Sequence, residues 1–251
     1  MSPGRDTAGS EPGVVMSDRG DVWAARYRRN LGTLGTDGQA RLLASHGLVV
    51  GLGGLGGYVV EQLARGGLGR ITGVDPDVFD ETNLNRQLLA TVATLGRRKA
   101  DAARERAAII NPACVFTGVA GRHSDVPEAV WSTVDIVFDC LDTIADRLDL
   151  ADTCARQTRI LIHGAVAGWY GQVAVVWPGQ DVLATIYPER GPGWEQELGT
   201  PPFTVALTAS LMVAQGIKVL IGAPMPRDRR VEFIDLREGR WLTTSLRGSG
   251  P

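Results

Sequence analysis

Residues 47–75 read GLVVGLGGLGGYVVEQLARGGLGRITGVD, and the fold class follows from them. The apolar run at 47–52 is short and flanked by glycine, the pattern of a strand buried on both faces. It feeds Gly51-Leu-Gly53-Gly54-Leu-Gly56, a G-x-G-x-x-G turn that opens a helical stretch at 57–66. ITGVD at 71–75 reads as a second buried strand, so 48–75 make a compact βαβ unit. Each glycine then has a physical task. Gly51 permits the tight turn, Gly53 and Gly54 let backbone N–H groups approach an anion, and Gly56 lets the helix pack on the sheet. The helix N-terminus faces that anion with its partial positive charge. Asp75 lies 24 positions after Gly51, at a strand end where a carboxylate can accept hydrogen bonds from ribose hydroxyls. Together these features point to a bound nucleotide and leave open whether it is a dinucleotide or ATP.

The alternation continues outward. Residues 97–110 carry strong helix formers and stop at Asn111-Pro112; 135–140 is a buried strand, 144–157 a helix and 159–165 a strand. Residues 172–177 read as a further strand, 203–221 as a long apolar helix, and 231–236 with 240–246 as a terminal hairpin. Upstream, 22–44 has a helical pattern with a glycine-rich break at 32–38. Residues 1–18 are polar and rich in Gly, Pro and Ser, the composition of a disordered tail. The expected architecture is α/β: a Rossmann-like, doubly wound, mostly parallel sheet in one domain over 19–251, with a C-terminal hairpin extension.

Composition fits that reading. The chain has 251 residues, 44% hydrophobic, and a net charge of −2, enough apolar content for a sizeable core and no broad cationic surface for nucleic acid. The uncharged stretches 160–180 and 198–217 are broken by Gly, Pro or polar residues, so they read as buried elements and not as membrane spans. The N-terminus lacks an apolar signal core, and three scattered cysteines, Cys114, Cys140 and Cys154, imply a reducing, cytoplasmic setting.

The residues downstream of Asp75 separate ATP from a dinucleotide. The segment runs Asp75-Pro-Asp77 through Asn83-Leu-Asn85-Arg86-Gln87 to Gly96-Arg-Arg-Lys99, and later comes Asp139-Cys-Leu-Asp142. A nicotinamide enzyme has little use for fixed cations here, whereas attack on an α-phosphate builds charge that Arg, Lys and a divalent metal can stabilise. Asp142, beyond a buried strand, suits Mg²⁺, which takes one or two carboxylates and fills its other positions with water and phosphate oxygens.

The ordered set Arg26-Tyr-Arg-Arg29, GLGGLGG, GVDPDVFDETNLNRQ, GRRKADAA, INP, VFDCLD, GAVAGWYGQVAV and GIKVL spans about residues 22–222. It resembles the ubiquitin-activating-enzyme-like adenylyltransferases of the ThiF/MoeB/HesA family. The resemblance implies ATP·Mg²⁺ as cofactor and, as acceptor, the C-terminal glycine carboxylate of a ubiquitin-like sulfur-carrier protein. It assigns Gly51, Gly53, Gly54 and Gly56 to the phosphates, Asp75 to the ribose, Asn83, Arg86 and Lys99 to the triphosphate, and Asp142 to the metal. It implies a homodimer in which Arg29 reaches the neighbouring subunit's site. Another carboxylate, on a natural-product peptide or a modified tRNA adenosine, and a non-catalytic family partner are the alternatives.

The chain departs from many family members. The segment before Tyr187-Pro188 reads VLATI where a Cys-x-x-Cys pair is expected, and no cysteine comes after Cys154, so a tetrathiolate zinc site is excluded by count. Residues 178–203 contain no thiol to receive a thioester. His163 reads as a satisfied core histidine, and His46 and His123 as loop residues. Trp169, Trp177 and Trp194 flank the region where the family holds its protein substrate, with Trp177 the most suited to core packing.

Overall fold

The computed structural model describes residues 15–16, 22–23, 25–189, 191 and 193–246. Most of the expected tail lies outside them; Val15–Met16 pairs antiparallel with Val22–Trp23. The helical pattern expected over 22–44 is corrected. Val22–Trp23 is extended, Ala25–Tyr27 is a single 3₁₀ turn, and α1 runs only from Leu31 to Ala44. Gly35 explains the irregularity, since its φ of +69° interrupts the helix in a region that glycine enters without steric cost. Tyr27 is buried, and its hydroxyl accepts from Asn111 Nδ2 at 2.8 Å while Arg26 Nη1 donates to Asn111 Oδ1 at 2.7 Å. One carboxamide therefore pins this segment to the end of a later helix.

The central sheet contains β1 (His46–Val50), β2 (Arg70–Val74), β3 (Val115–Val119), β4 (Ile136–Asp139), β5 (Ile160–Ala167), β6 (Tyr170–Val176), β7 (Arg230–Asp235) and β8 (Arg240–Ser245). Their spatial order is β8-β7-β6-β5-β4-β1-β2-β3. The first five strands are parallel, in the 3-2-1-4-5 order of doubly wound nucleotide-binding sheets; β6, β7 and β8 continue antiparallel. Strand β3 is an addition to the sequence reading. Helices α2 (Gly54–Gly66) and α3 (Lys99–Ile110) follow β1 and precede β3, and α4 (Ile144–Arg156) and α5 (Pro202–Ile221) follow β4 and β6.

Both faces of the sheet are covered, which is why its central strands lack polar alternation. On β1 and β4, Val49 and Phe138 pack into a core with Leu42, Leu63 and Met212, while Leu48, Val50 and Val137 pack into a second core with Trp131, Leu148 and Leu161. Helix α5 is long and apolar enough to cross a membrane by length and composition alone. Here it buries Val205, Ala209, Met212 and Val213 and packs against α1, α2, β5 and β6.

Candidate active site

A cleft of about 400 Å³ opens beyond the carboxyl ends of β1, β2 and β4. This is where the strand order reverses, so the loops leaving β1 and β4 diverge and leave a crevice. Gly51, with φ +87°, turns the chain out of β1, and a Cβ there would lie 2.6 Å from the Cys140 carbonyl oxygen. Helix α2 then starts at Gly54 with no side chain capping its first turn, so its N–H groups remain available to an anion in the cleft. Gly53 and Gly54 line the cleft. Gly56 does not: a Cβ there would overlap the Gly51 carbonyl oxygen, and the residue serves the close packing of helix on turn.

Asp75 is 4% exposed and accepts from the Leu52 N–H at 2.7 Å and the Asp77 N–H at 2.9 Å. Burial raises its carboxyl above the usual range, opposed chiefly by the Lys99 ammonium. Lys99 opens α3, is 7% exposed, donates to Asp77 Oδ2 at 3.0 Å and stands 3.8 Å from Asp75 Oδ1. Arg86 lines the cleft and is held by Nη1 donating to the Thr82 carbonyl at 3.0 Å and Asn85 Oδ1 at 2.9 Å. Asp142 completes the wall, exposed, with no hydrogen bond or ion pair among the described residues.

The cleft thus gathers Gly51, Gly53, Gly54, Asp75, Arg86, Lys99 and Asp142. Asn83 and Arg29 are not in its lining. The Asn83 side chain is spent on the turn, accepting from the Asp80 N–H at 3.2 Å, while its carbonyl accepts from the Gln87 N–H at 2.9 Å. Its contact with the cleft is indirect, through the placement of Arg86 and Gln87. Arg29 is exposed in the turn before α1. Among the described residues no cluster of three or more acids, histidines and cysteines could hold a metal alone. The donor set nevertheless fits Mg²⁺ arriving with a nucleotide, because the metal takes one or two carboxylates from a protein and Asp142 offers one that no described residue occupies.

The lining also includes residues outside the expected set, among them Gln87, Arg122, His123 and Arg147. His123, expected in a loop, sits in a 3₁₀ turn, buried, with Nε2 3.0 Å from Asp149 Oδ2. Arg122 Nη1 pairs with Asp146 Oδ1 at 3.0 Å, so an ion pair and an imidazole–carboxylate contact tie the turn after β3 to α4. His46 is also corrected, being the first residue of β1, its ring between Thr133 Oγ1 at 3.1 Å and Thr72 Oγ1 at 2.9 Å. His163 is fully buried, with Nδ1 2.7 Å from Asp139 Oδ2. All three cysteines are buried. Burial pushes the Cys114 thiol up to about 11 and raises Cys154 and Cys140 strongly, so none offers a thiolate near neutral pH. Of the tryptophans, Trp169 stacks on Phe203 with centroids 4.7 Å apart, Trp177 carries the Arg227 guanidinium 4.6 Å from its ring centre, and Trp194 is largely exposed.

Among proteins of known sequence, the chain is 31% identical over 233 residues to the SAMP-activating enzyme E1 of Haloferax volcanii, covering 88% of this chain and 85% of that one. It is 32% identical over 228 residues to the molybdopterin-synthase adenylyltransferase of Escherichia coli K12, covering 88% and 91%. Among solved structures, E. coli MccB with ATP superposes with a TM-score of 0.73 at 20% identity, over 88% of this chain and 70% of that one, a likeness of fold. The ThiF family matches residues 27–249, which take in the glycine turn, Asp75, Arg86, Lys99 and Asp142, and the chain belongs to that family.

Proposed function

We propose that the chain is an ATP-dependent adenylyltransferase that activates the C-terminal glycine carboxylate of a ubiquitin-like sulfur-carrier protein as an acyl-adenylate. The observation that carries this reading is the meeting of Arg86, Lys99, the uncapped start of α2 and the unpaired Asp142 in one cleft. The relatives' names supply the acceptor class: one is a SAMP-activating enzyme and one serves molybdopterin synthase.

The chemistry is a displacement at the α-phosphorus. One carboxylate oxygen bonds to phosphorus, the bond to the bridging oxygen breaks, and pyrophosphate leaves with the electron pair. No general base is required, because a C-terminal carboxylate is ionised at neutral pH. In this reading Arg86 and Lys99, which line the cleft, would offset charge on the phosphate oxygens, and Asp75 would hold the ribose. Mg²⁺, held by Asp142, would neutralise triphosphate charge. In a homodimer, exposed Arg29 would reach the partner's cleft. The buried cysteines favour an enzyme that stops at the acyl-adenylate, in the cytoplasm where ATP is supplied.

The test is ATP–pyrophosphate exchange with purified carriers ending in Gly-Gly. Exchange that depends on the carrier is expected. A chain that exchanges with none of them, and is protected from thermal unfolding by NAD but not by ATP·Mg²⁺, overturns the reading.

A further inference from the structure

Arg147 stands where two cavities meet. It lines the nucleotide cleft and also a second cavity of about 700 Å³ over the antiparallel end of the sheet, walled by Ala165, Tyr170, Trp194, Phe233 and Leu242. The residue is 4% exposed, yet no carboxylate lies within ion-pair distance of its guanidinium among the described residues. A buried guanidinium without a counter-charge is costly, and its planar fork is shaped for a carboxylate.

A chain of polar groups fixes its orientation. Arg147 Nε donates to the Leu141 carbonyl at 3.1 Å and Nη1 donates to the Tyr187 hydroxyl at 3.3 Å. Tyr187 Oη lies 3.1 Å from His163 Nε2, and His163 Nδ1 lies 2.7 Å from Asp139 Oδ2. With Nδ1–H donating to the carboxylate, Nε2 is an acceptor shared by the Tyr187 O–H and Gln172 Nε2, 3.0 Å away, and Gln172 also donates to the Tyr187 hydroxyl. Asp139 is occupied by His163 and by the Leu141 N–H at 3.1 Å, and makes no hydrogen bond or ion pair with Arg147. Neither nucleotide binding nor displacement at the α-phosphorus draws on this relay.

We propose that Arg147 receives the acceptor's terminal carboxylate as it arrives through the apolar cavity, making it the residue that admits a free C-terminal acid and rejects an amide. Asp139, His163 and Tyr187 are positioning residues that hold the guanidinium in place. The proposal deepens the adenylation reading and rests on it.

The experiment uses the full chain with Mg²⁺ and a non-hydrolysable ATP analogue. The probes are a fluorescein-labelled peptide ending in Gly-Gly as free acid and its C-terminal amide twin, monitored by anisotropy. The wild type should prefer the acid by about tenfold or more, the scale of a charge-assisted, hydrogen-bonded pair. Arg147→Gln should bring the ratio of the two affinities to about one, Arg147→Lys should keep part of the preference, and Tyr187→Phe, which leaves the charge, should reduce it. Equal binding of acid and amide by the wild type, no binding of either, or a preference that survives Arg147→Gln overturns the assignment. Should Arg147→Gln not fold, an undiminished preference in Tyr187→Phe and Arg147→Lys counts against it equally. Protection of the wild type by ATP·Mg²⁺ is read separately: its absence condemns the nucleotide reading, while intact protection with no acid preference condemns Arg147 alone.

Discussion

Replacing Lys99 by Met strips the candidate cleft of one cation and leaves Asp75 buried with its charge unopposed. At the 3.8 Å separating the two groups, unit charges in an effective dielectric of ~20 attract by roughly 4 kcal/mol. Desolvation of the ammonium offsets much of that, and the Asp75 oxygens keep their bonds to the Leu52 and Asp77 N–H groups. The Asp77 pair contributes little, because that carboxylate is 63% exposed. A net loss of about 1–3 kcal/mol remains, which for a chain of this size lowers Tm by several degrees. The pH dependence comes from the raised Asp75 carboxyl. Without Lys99 its folded-state pKa rises further above the unfolded value, so the deficit is full at neutral pH and shrinks as pH falls through the folded pKa. Adding Asp75→Asn should return most of the lost stability, a coupling of about 1–2 kcal/mol, without returning affinity for ATP. Urea denaturation of the two single variants and the double, at pH 7 and pH 5, measures all of this, with ATP binding read by thermal shift. Strict additivity of the two substitutions, or a Lys99→Met protein as stable as the wild type with ATP protection intact, would refute the reasoning.

Asp142→Ala should abolish carrier-dependent exchange while leaving the nucleotide-free Tm within about a degree, since this exposed carboxylate has no partner among the described residues to lose; retained exchange removes its metal role. Gly51→Ala forces a side chain into φ +87° and toward the Cys140 carbonyl oxygen 2.6 Å away. It should cost about 1–2 kcal/mol or more in urea titrations and shift the segment carrying Asp142, so that ATP no longer raises Tm. His46 and His163 both have lowered pKa values, chiefly through burial. Each contributes stability that is present above about pH 6.5 and lost as pH falls through its folded value, at no more than ~1.4 kcal/mol per pH unit per histidine. Urea midpoints flat from pH 7 to pH 5 contradict that account.

The βαβ unit was legible because its signals are local and mutually consistent: an apolar run, a glycine turn and a helix on one continuous segment. Strand β3 was not, since Val115–Val119 contains Thr117 and Gly118, offers no apolar run and forms the exposed edge of the parallel set. Missing it also hid the turn that brings Arg122 and His123 to the cleft. Arg147 escaped for a different reason. An arginine in a helix with Asp146, Asp149 and Asp152 reads as part of a solvated face, and its contact with Tyr187 comes from another part of the chain. Asn83 shows the reverse failure, a residue at suggestive spacing whose side chain the local turn consumes.

The burial of Cys114, Cys140 and Cys154 has a kinetic consequence if the chain makes acyl-adenylates as proposed. With every cysteine buried, such an enzyme would have to keep a water-sensitive mixed anhydride intact by grip alone. Its accuracy would then become a race between leakage and delivery, decided by how long the anhydride is held before the next nucleophile docks.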